Sequence, residues 1–162
     1  MAYDRMRGSG ARAILAVVLA AAFLTTCDSL GLGDGPMDEL ERNRTLWVNV
    51  GPLAYEYGLE RLCFCAEDAR GPVRVTVESG LVTERAYVGS GDPVPASLED
   101  LFPGVSGLFD ILQDAFERDA FQVDVTYDPE TGVPIDFWID YVENAADEEL
   151  GFMVTEAVHQ LP

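Results

Sequence analysis

Cys63-Phe64-Cys65 is where this 162-residue chain could most readily do covalent chemistry. Its remaining cysteine, Cys27, ends an apolar stretch near the N-terminus, and if lipid consumes that thiol the other two form an even pair in an oxidising compartment. In a regular strand, residues two apart lie about 6.6 Å from each other with parallel side chains, the upper edge of what a disulfide spans. A bond therefore requires a bend or bulge, so a structural disulfide closing a tight bend is the first expectation. Two buried thiols come next, then a metal-binding or intermolecular link. Thiol–disulfide exchange comes last, because nothing beside the pair in sequence marks a lowered thiol pKa.

Carboxylates are the second resource. Asp124, Asp136 and Asp140 fall on the outward side of two alternating segments beside Trp138, and Asn144, Asp147, Glu148 and Glu149 follow in an acidic connection. Hard oxygen ligands at this density suit Ca²⁺, with Asp140, Asn144, Asp147 and Glu148 as candidates. They lack EF-hand spacing, and in so acidic a chain solvated carboxylates are the simpler expectation. Trp138, with Asp136 and Asp140, is the candidate for holding a protein or peptide partner, since a large aromatic on a solvent-facing strand can anchor one. Packing beneath the acidic connection is the competing reading. Tyr55, Tyr57 and Phe64 are expected in the core.

Enzymatic constellations are thin. The single histidine, His159, lies near the C-terminus, where fraying is the default, and there is no G-x-S-x-G, H-E-x-x-H or glycine-rich phosphate loop. No nucleophile stands beside a base, which points away from an enzyme.

The elements that must position these groups follow from periodicity. Leu40, Trp47 and Val50 share one helical face in residues 38–50, ended by Gly51-Pro52. Alternation then takes over: Tyr55, Tyr57, Leu59 and Cys63, next Val73, Val75 and Val77, then a Ser79-Gly80 turn returning the chain through residues 81–88. Residues 89–104 break the chain in two with Gly, Pro, Ser and Asp. Val105, Leu108, Phe109, Leu112, Ala115 and Phe116 predict a second helix with Ser106 as its N-cap. Phe121 to Tyr127 and Ile135 to Tyr141 alternate about an Asp128-Pro129-Glu130-Thr131-Gly132 turn, and residues 151–158 read as a last strand. The fold class is α+β: an antiparallel sheet of five to six strands with two helices on one face. VRVTVESGLV in the first half resembles VDVTYDPETGV in the second, which fits a degenerate αβββ duplication or two unrelated hairpins equally.

The N-terminus reads as an address. Arg5, Arg7 and Arg12 precede a twelve-residue apolar run over residues 13–24, too short for the roughly 20 residues that cross a bilayer. Leu24-Thr25-Thr26-Cys27 resembles the bacterial lipobox, with Thr26 in place of the usual Gly, Ala or Ser; a secretory signal cut after Ala20-Ala21-Ala22 is the alternative. The domain organisation is then a lipoprotein signal over residues 1–26, a glycine-rich tether over 27–37 from lipidated Cys27, and one domain over 38–162. Asp28 resembles an inner-membrane retention residue of some enteric bacteria, which leaves the choice of membrane open. The formal charge is −19, and losing Arg5, Arg7, Arg12 and Asp4 removes a net two positive charges to give −21. Nucleic acid and anionic headgroups are poor partners for such a surface.

Asn43-Arg44 with Trp47, Tyr55 and Tyr57, Cys63-Phe64-Cys65, Gly71-Pro72-Val73, Phe102-Pro103 before Leu108-Phe109, Tyr127-Asp128-Pro129, Gly132 with Pro134, Asp140-Tyr141, and Asp147-Glu148-Glu149 form an ordered set. Together they resemble the domain of unknown function 6174 family of bacterial lipoproteins and secreted proteins, from about Leu40 to Val158. That resemblance implies a one-domain envelope protein of unassigned function and carries no catalytic residues. The expectation is a non-enzymatic, membrane-anchored envelope lipoprotein acting as a protein- or peptide-binding module. A Ca²⁺-binding domain is the alternative, with thiol–disulfide exchange behind it.

Overall fold

Apolar side chains three and four apart, closed off by a glycine, shape the first element. The structure is a computed structural model that describes residues 35–145 and 148–162. Helix α1 (Pro36–Val50) buries Leu40 and Trp47. Pro36 sits in its first turn, where a missing N–H costs nothing, and the Gly35 N–H donates to the Asp38 carboxylate at 3.1 Å. Pro36 and Met37, assigned above to the tether, are thus helical. At the other end the Gly51 N–H donates to the Trp47 carbonyl at 2.7 Å, and a Cβ at position 51 would meet that same oxygen at 2.6 Å.

Six strands are described: β1 (Tyr55–Leu62), β2 (Val73–Glu78), β3 (Leu81–Tyr87), β4 (Gln122–Tyr127), β5 (Pro134–Asp140) and β6 (Glu149–Gln160). They form one sheet in the order β3-β2-β1-β6-β5-β4, antiparallel at every step. Ser79 and Gly80 both take positive φ, 54° and 79°, which gives the β2–β3 hairpin a two-residue turn matched to strand twist. His159, expected to fray, is paired with Glu56 inside β6.

Helix α2 (Val105–Glu117) lies with α1 on one face of the sheet, burying Val105, Leu108, Phe109, Leu112 and Ala115. Ser106 is not its cap. Gly104 holds that position, and the Val105 N–H donates instead to the Tyr55 hydroxyl of β1 at 3.0 Å. A core tyrosine therefore supplies the acceptor that a serine side chain would otherwise provide. Burial, partly offset by that hydrogen bond, raises the Tyr55 pKa above its ordinary value. Arg44 ties the helices together through Asp110 and Gln113, both at 2.9 Å, with its guanidinium over the Phe109 ring.

Each half runs helix, strand, strand, strand. The sequence likeness does not follow that repeat. VRVTVESGLV covers the second strand of its half, the turn and the start of the third, whereas VDVTYDPETGV covers the first strand of the other half and the turn that leads to the second. What looked alike are two hairpins in different places.

Candidate functional site

Alternation along the strands sends one set of side chains under the helices and leaves the other set on a face that no helix among the described residues covers. On β5, Phe137 and Ile139 are buried, while Asp136, Trp138 and Asp140 point the opposite way. Trp138 is half-buried because of its neighbours in register. It pairs with Asp124 of β4 on one side and Gly151 of β6 on the other, and Gly151 pairs in turn with Leu62 of β1. A Cβ at position 151 would meet Trp138 Cε3 at 2.7 Å and Leu62 Cβ at 3.2 Å. The indole thus lies across the gap left by the glycine, a cross-strand arrangement that shields exposed backbone. Met153, 37% exposed and paired with Asp136 and Glu60, extends this apolar strip.

Carboxylates border the strip. Among the described residues, no arginine pairs with Asp124, Asp136 or Asp140, whereas Arg44, Arg74, Arg85 and Arg118 each pair with a carboxylate elsewhere. The Gln122 side-chain amide donates to Asp124, and Asp140 Oδ1 accepts the Val142 N–H at 3.1 Å. The sequence thus brings Trp138, Asp136 and Asp140 together on one surface as expected of neighbours on a strand. For the Ca²⁺ candidates the outcome differs. Asn144 has left-handed backbone at φ 65°, Glu148 is exposed, and Asp147 lies outside the described residues. Among the described residues no three His, Cys, Asp or Glu side chains gather to hold a metal.

Where β1 ends, the chain bends sharply through Cys63-Phe64-Cys65. The two sulfurs are joined and the Cα atoms stand 5.3 Å apart. This bend turns Phe64 outward, and at 95% exposure it is not a core residue, contrary to the reading from composition. A second expectation also needs correcting. Arg61 stands beside the sulfurs, its Nη1 2.9 Å from Cys63 Sγ and 3.5 Å from Cys65 Sγ. Alternation explains why sequence alone missed it: Arg61, two residues before Cys63, occupies the buried side of β1, and partial burial lowers its pKa. A groove of about 350 Å³ opens here, lined by Cys63, Phe64, Cys65, Ala66 and Arg70.

Beneath the sheet, Tyr127 stacks on Phe109 with ring centroids 6.5 Å apart, and its hydroxyl has no hydrogen-bond partner among the described residues. Burial, helped by the Glu39 charge and opposed by Arg44, pushes its pKa up to about 12. Cys27, the lipidation candidate, lies outside the described residues.

A family model described as Family of unknown function (DUF6174) matches residues 39–159. No curated protein and no solved structure matches the chain.

Proposed function

The chain belongs to that family of unknown function, so an activity has to come from its own surface, and we propose a non-enzymatic binding module of the bacterial cell envelope. Its ligand is a cationic segment of a protein or peptide, held on the sheet face that carries Trp138. The supporting observation is the arrangement of that face: one half-buried indole, continued by Leu62 and Met153, among aspartates that no described arginine neutralises. An arginine or lysine stem can lie along the apolar strip while its charge meets Asp124, Asp136 or Asp140, and the indole adds cation–π attraction of about 0.5–2 kcal/mol. The net charge of −19 favours such a partner and steers it in from solution.

Anchoring belongs to the same proposal. Lipid on Cys27 would hold the domain at a membrane, and the nine residues from Cys27 to Pro36 reach at most roughly 30 Å. Two or three acyl chains make such attachment stable where a single chain would be marginal. An acidic domain is repelled by anionic headgroups, which keeps the sheet free for its partner.

Titration of the full chain in neutral detergent with an arginine-rich peptide, followed by tryptophan emission, tests this reading. Trp47 is 6% exposed, so a change in emission reports chiefly on Trp138. The proposal expects saturable binding that weakens with salt and falls at least fivefold in the Asp136→Asn, Asp140→Asn double variant, with no response to a glutamate-rich peptide. Equal responses to both peptides, or none to either, would contradict it.

A further inference from the structure

The bend that follows β1 carries chemistry that the binding proposal leaves unused. Four described arginines, Arg44, Arg74, Arg85 and Arg118, pair with carboxylates. Arg61 instead directs its guanidinium at sulfur, nearer to Cys63 than to Cys65. Both cysteines line an open groove, beside an almost fully exposed Phe64 and beside Arg70, which makes no ion pair among the described residues. In so acidic a protein, that places two cations at the one pair of sulfurs. Structural disulfides of small domains are normally shielded, and they have no use for a cation in contact with one sulfur.

We propose that Cys63-Phe64-Cys65 is a thiol–disulfide exchange site that oxidises thiols of a protein or peptide, with Arg61 stabilising the thiolate that leaves. The asymmetry of the arginine sets the direction of attack. An incoming thiolate bonds to Cys65 Sγ, the Cys63–Cys65 bond breaks, and its electron pair stays on Cys63 Sγ, 2.9 Å from Arg61 Nη1. A mixed disulfide between Cys65 and the incoming thiol results. A second thiolate of the same substrate then attacks the substrate's own sulfur, forming the substrate disulfide and releasing Cys65 as a thiolate. Two substrate thiolates lose two electrons in all, and the cysteine pair gains them. Phe64 offers an apolar contact to the substrate chain, and Arg70 a charge that attracts its thiolate.

The charged groups of the adjoining segments are Glu60 and Arg61 near the end of β1, Glu67 and Asp68 in the short 3-10 turn Glu67–Ala69, Arg70 after it, and Glu149 at the start of β6. On β6, Phe152 and Gly151, which pair with Arg61 and Leu62, carry no charge. Of the charged side chains among the described residues, Arg61 is the one that contacts these sulfurs. A cation this close lowers the pKa of an anionic group by about 1–3 units, and exchange rates follow the leaving thiol with a Brønsted slope near one half, so Arg61 should be worth about tenfold in rate.

The test uses the full chain carrying Cys27→Ser, so that only Cys63 and Cys65 report, with reduced glutathione as the probe. Alkylation and mass measurement then follow the opening of the disulfide over time at neutral pH. The native protein should open readily. Arg61→Gln should slow it about tenfold, and Arg61→Lys should restore most of the rate. In the reduced Cys27→Ser chain with Arg61 intact, the ultraviolet absorbance of the first thiolate should rise with a midpoint below the ordinary cysteine value of about 8.5, a readout that does not depend on an Arg61 variant folding. A disulfide that glutathione opens only after the protein is unfolded, equal rates for wild type and Arg61→Gln, or a midpoint at or above the ordinary value would each overturn the proposal. Glutathione probes the sulfurs alone, so these results are independent of whether the sheet face binds a cationic peptide.

Discussion

Phe137 and Trp138 are neighbours on β5 that point to opposite sides of one sheet. Phe137 is 1% exposed, with its ring 5.2 Å from that of Phe152 in the core beneath the helices. Trp138 is half-buried over Gly151, with Asp124 beside it and no helix of the described residues above. The first residue gains its stability by excluding water completely. The second covers backbone with one side of its indole and leaves the rest at the surface. Two adjacent aromatics thus divide the work of the sheet, one holding the fold and the other facing outward among carboxylates.

Breaking the covered side should have the largest effect. Phe137→Ala removes a fully buried ring and is expected to cost about 3–5 kcal/mol in chemical denaturation. A smaller effect is expected from Gly151→Ala on the open side. The new methyl group collides with the indole, and displacing it should cost about 1–3 kcal/mol while weakening capture of the cationic peptide more than the fold. A Gly151→Ala variant as stable as wild type and equal to it in binding would contradict the packing of the indole over the glycine. The smallest effect should come from Tyr127→Phe, beneath the sheet. Its hydroxyl has no partner among the described residues, so removing it should leave the denaturation midpoint unchanged or slightly raised, within about 0.5 kcal/mol. A clear loss would reveal an acceptor for that hydroxyl.

How far this comparison was legible in the sequence depended on period. Both helices and all six strands of the described residues were visible, because Leu108, Phe109 and Leu112 repeat at helical spacing and Val73, Val75 and Val77 alternate. The outward position of Trp138 followed from the same alternation. Gly151 beneath it did not, since that contact depends on the register between β5 and β6, set by pairing across the sheet. Local signals also misled. Ser106 has the right chemistry for a cap, yet Tyr55, about fifty residues earlier in the chain, supplies the acceptor. Phe64 looked like core by type, but the bend between two cysteines turns it to solvent. Arg61 read as an ordinary polar residue on a strand because its partners are sulfurs beyond the strand's end.

The two tryptophans give the most direct measurement. Trp47 lies in the core at 6% exposure, and Trp138 is on the open face, so the folded chain offers two indole N–H signals, one from each environment. In a nuclear magnetic resonance titration of the isotope-labelled full chain with an arginine-rich peptide, the Trp138 signal should move progressively to saturation while the Trp47 signal stays in place. An unmoved Trp138 signal, or both signals moving together, would contradict a binding role for the open face.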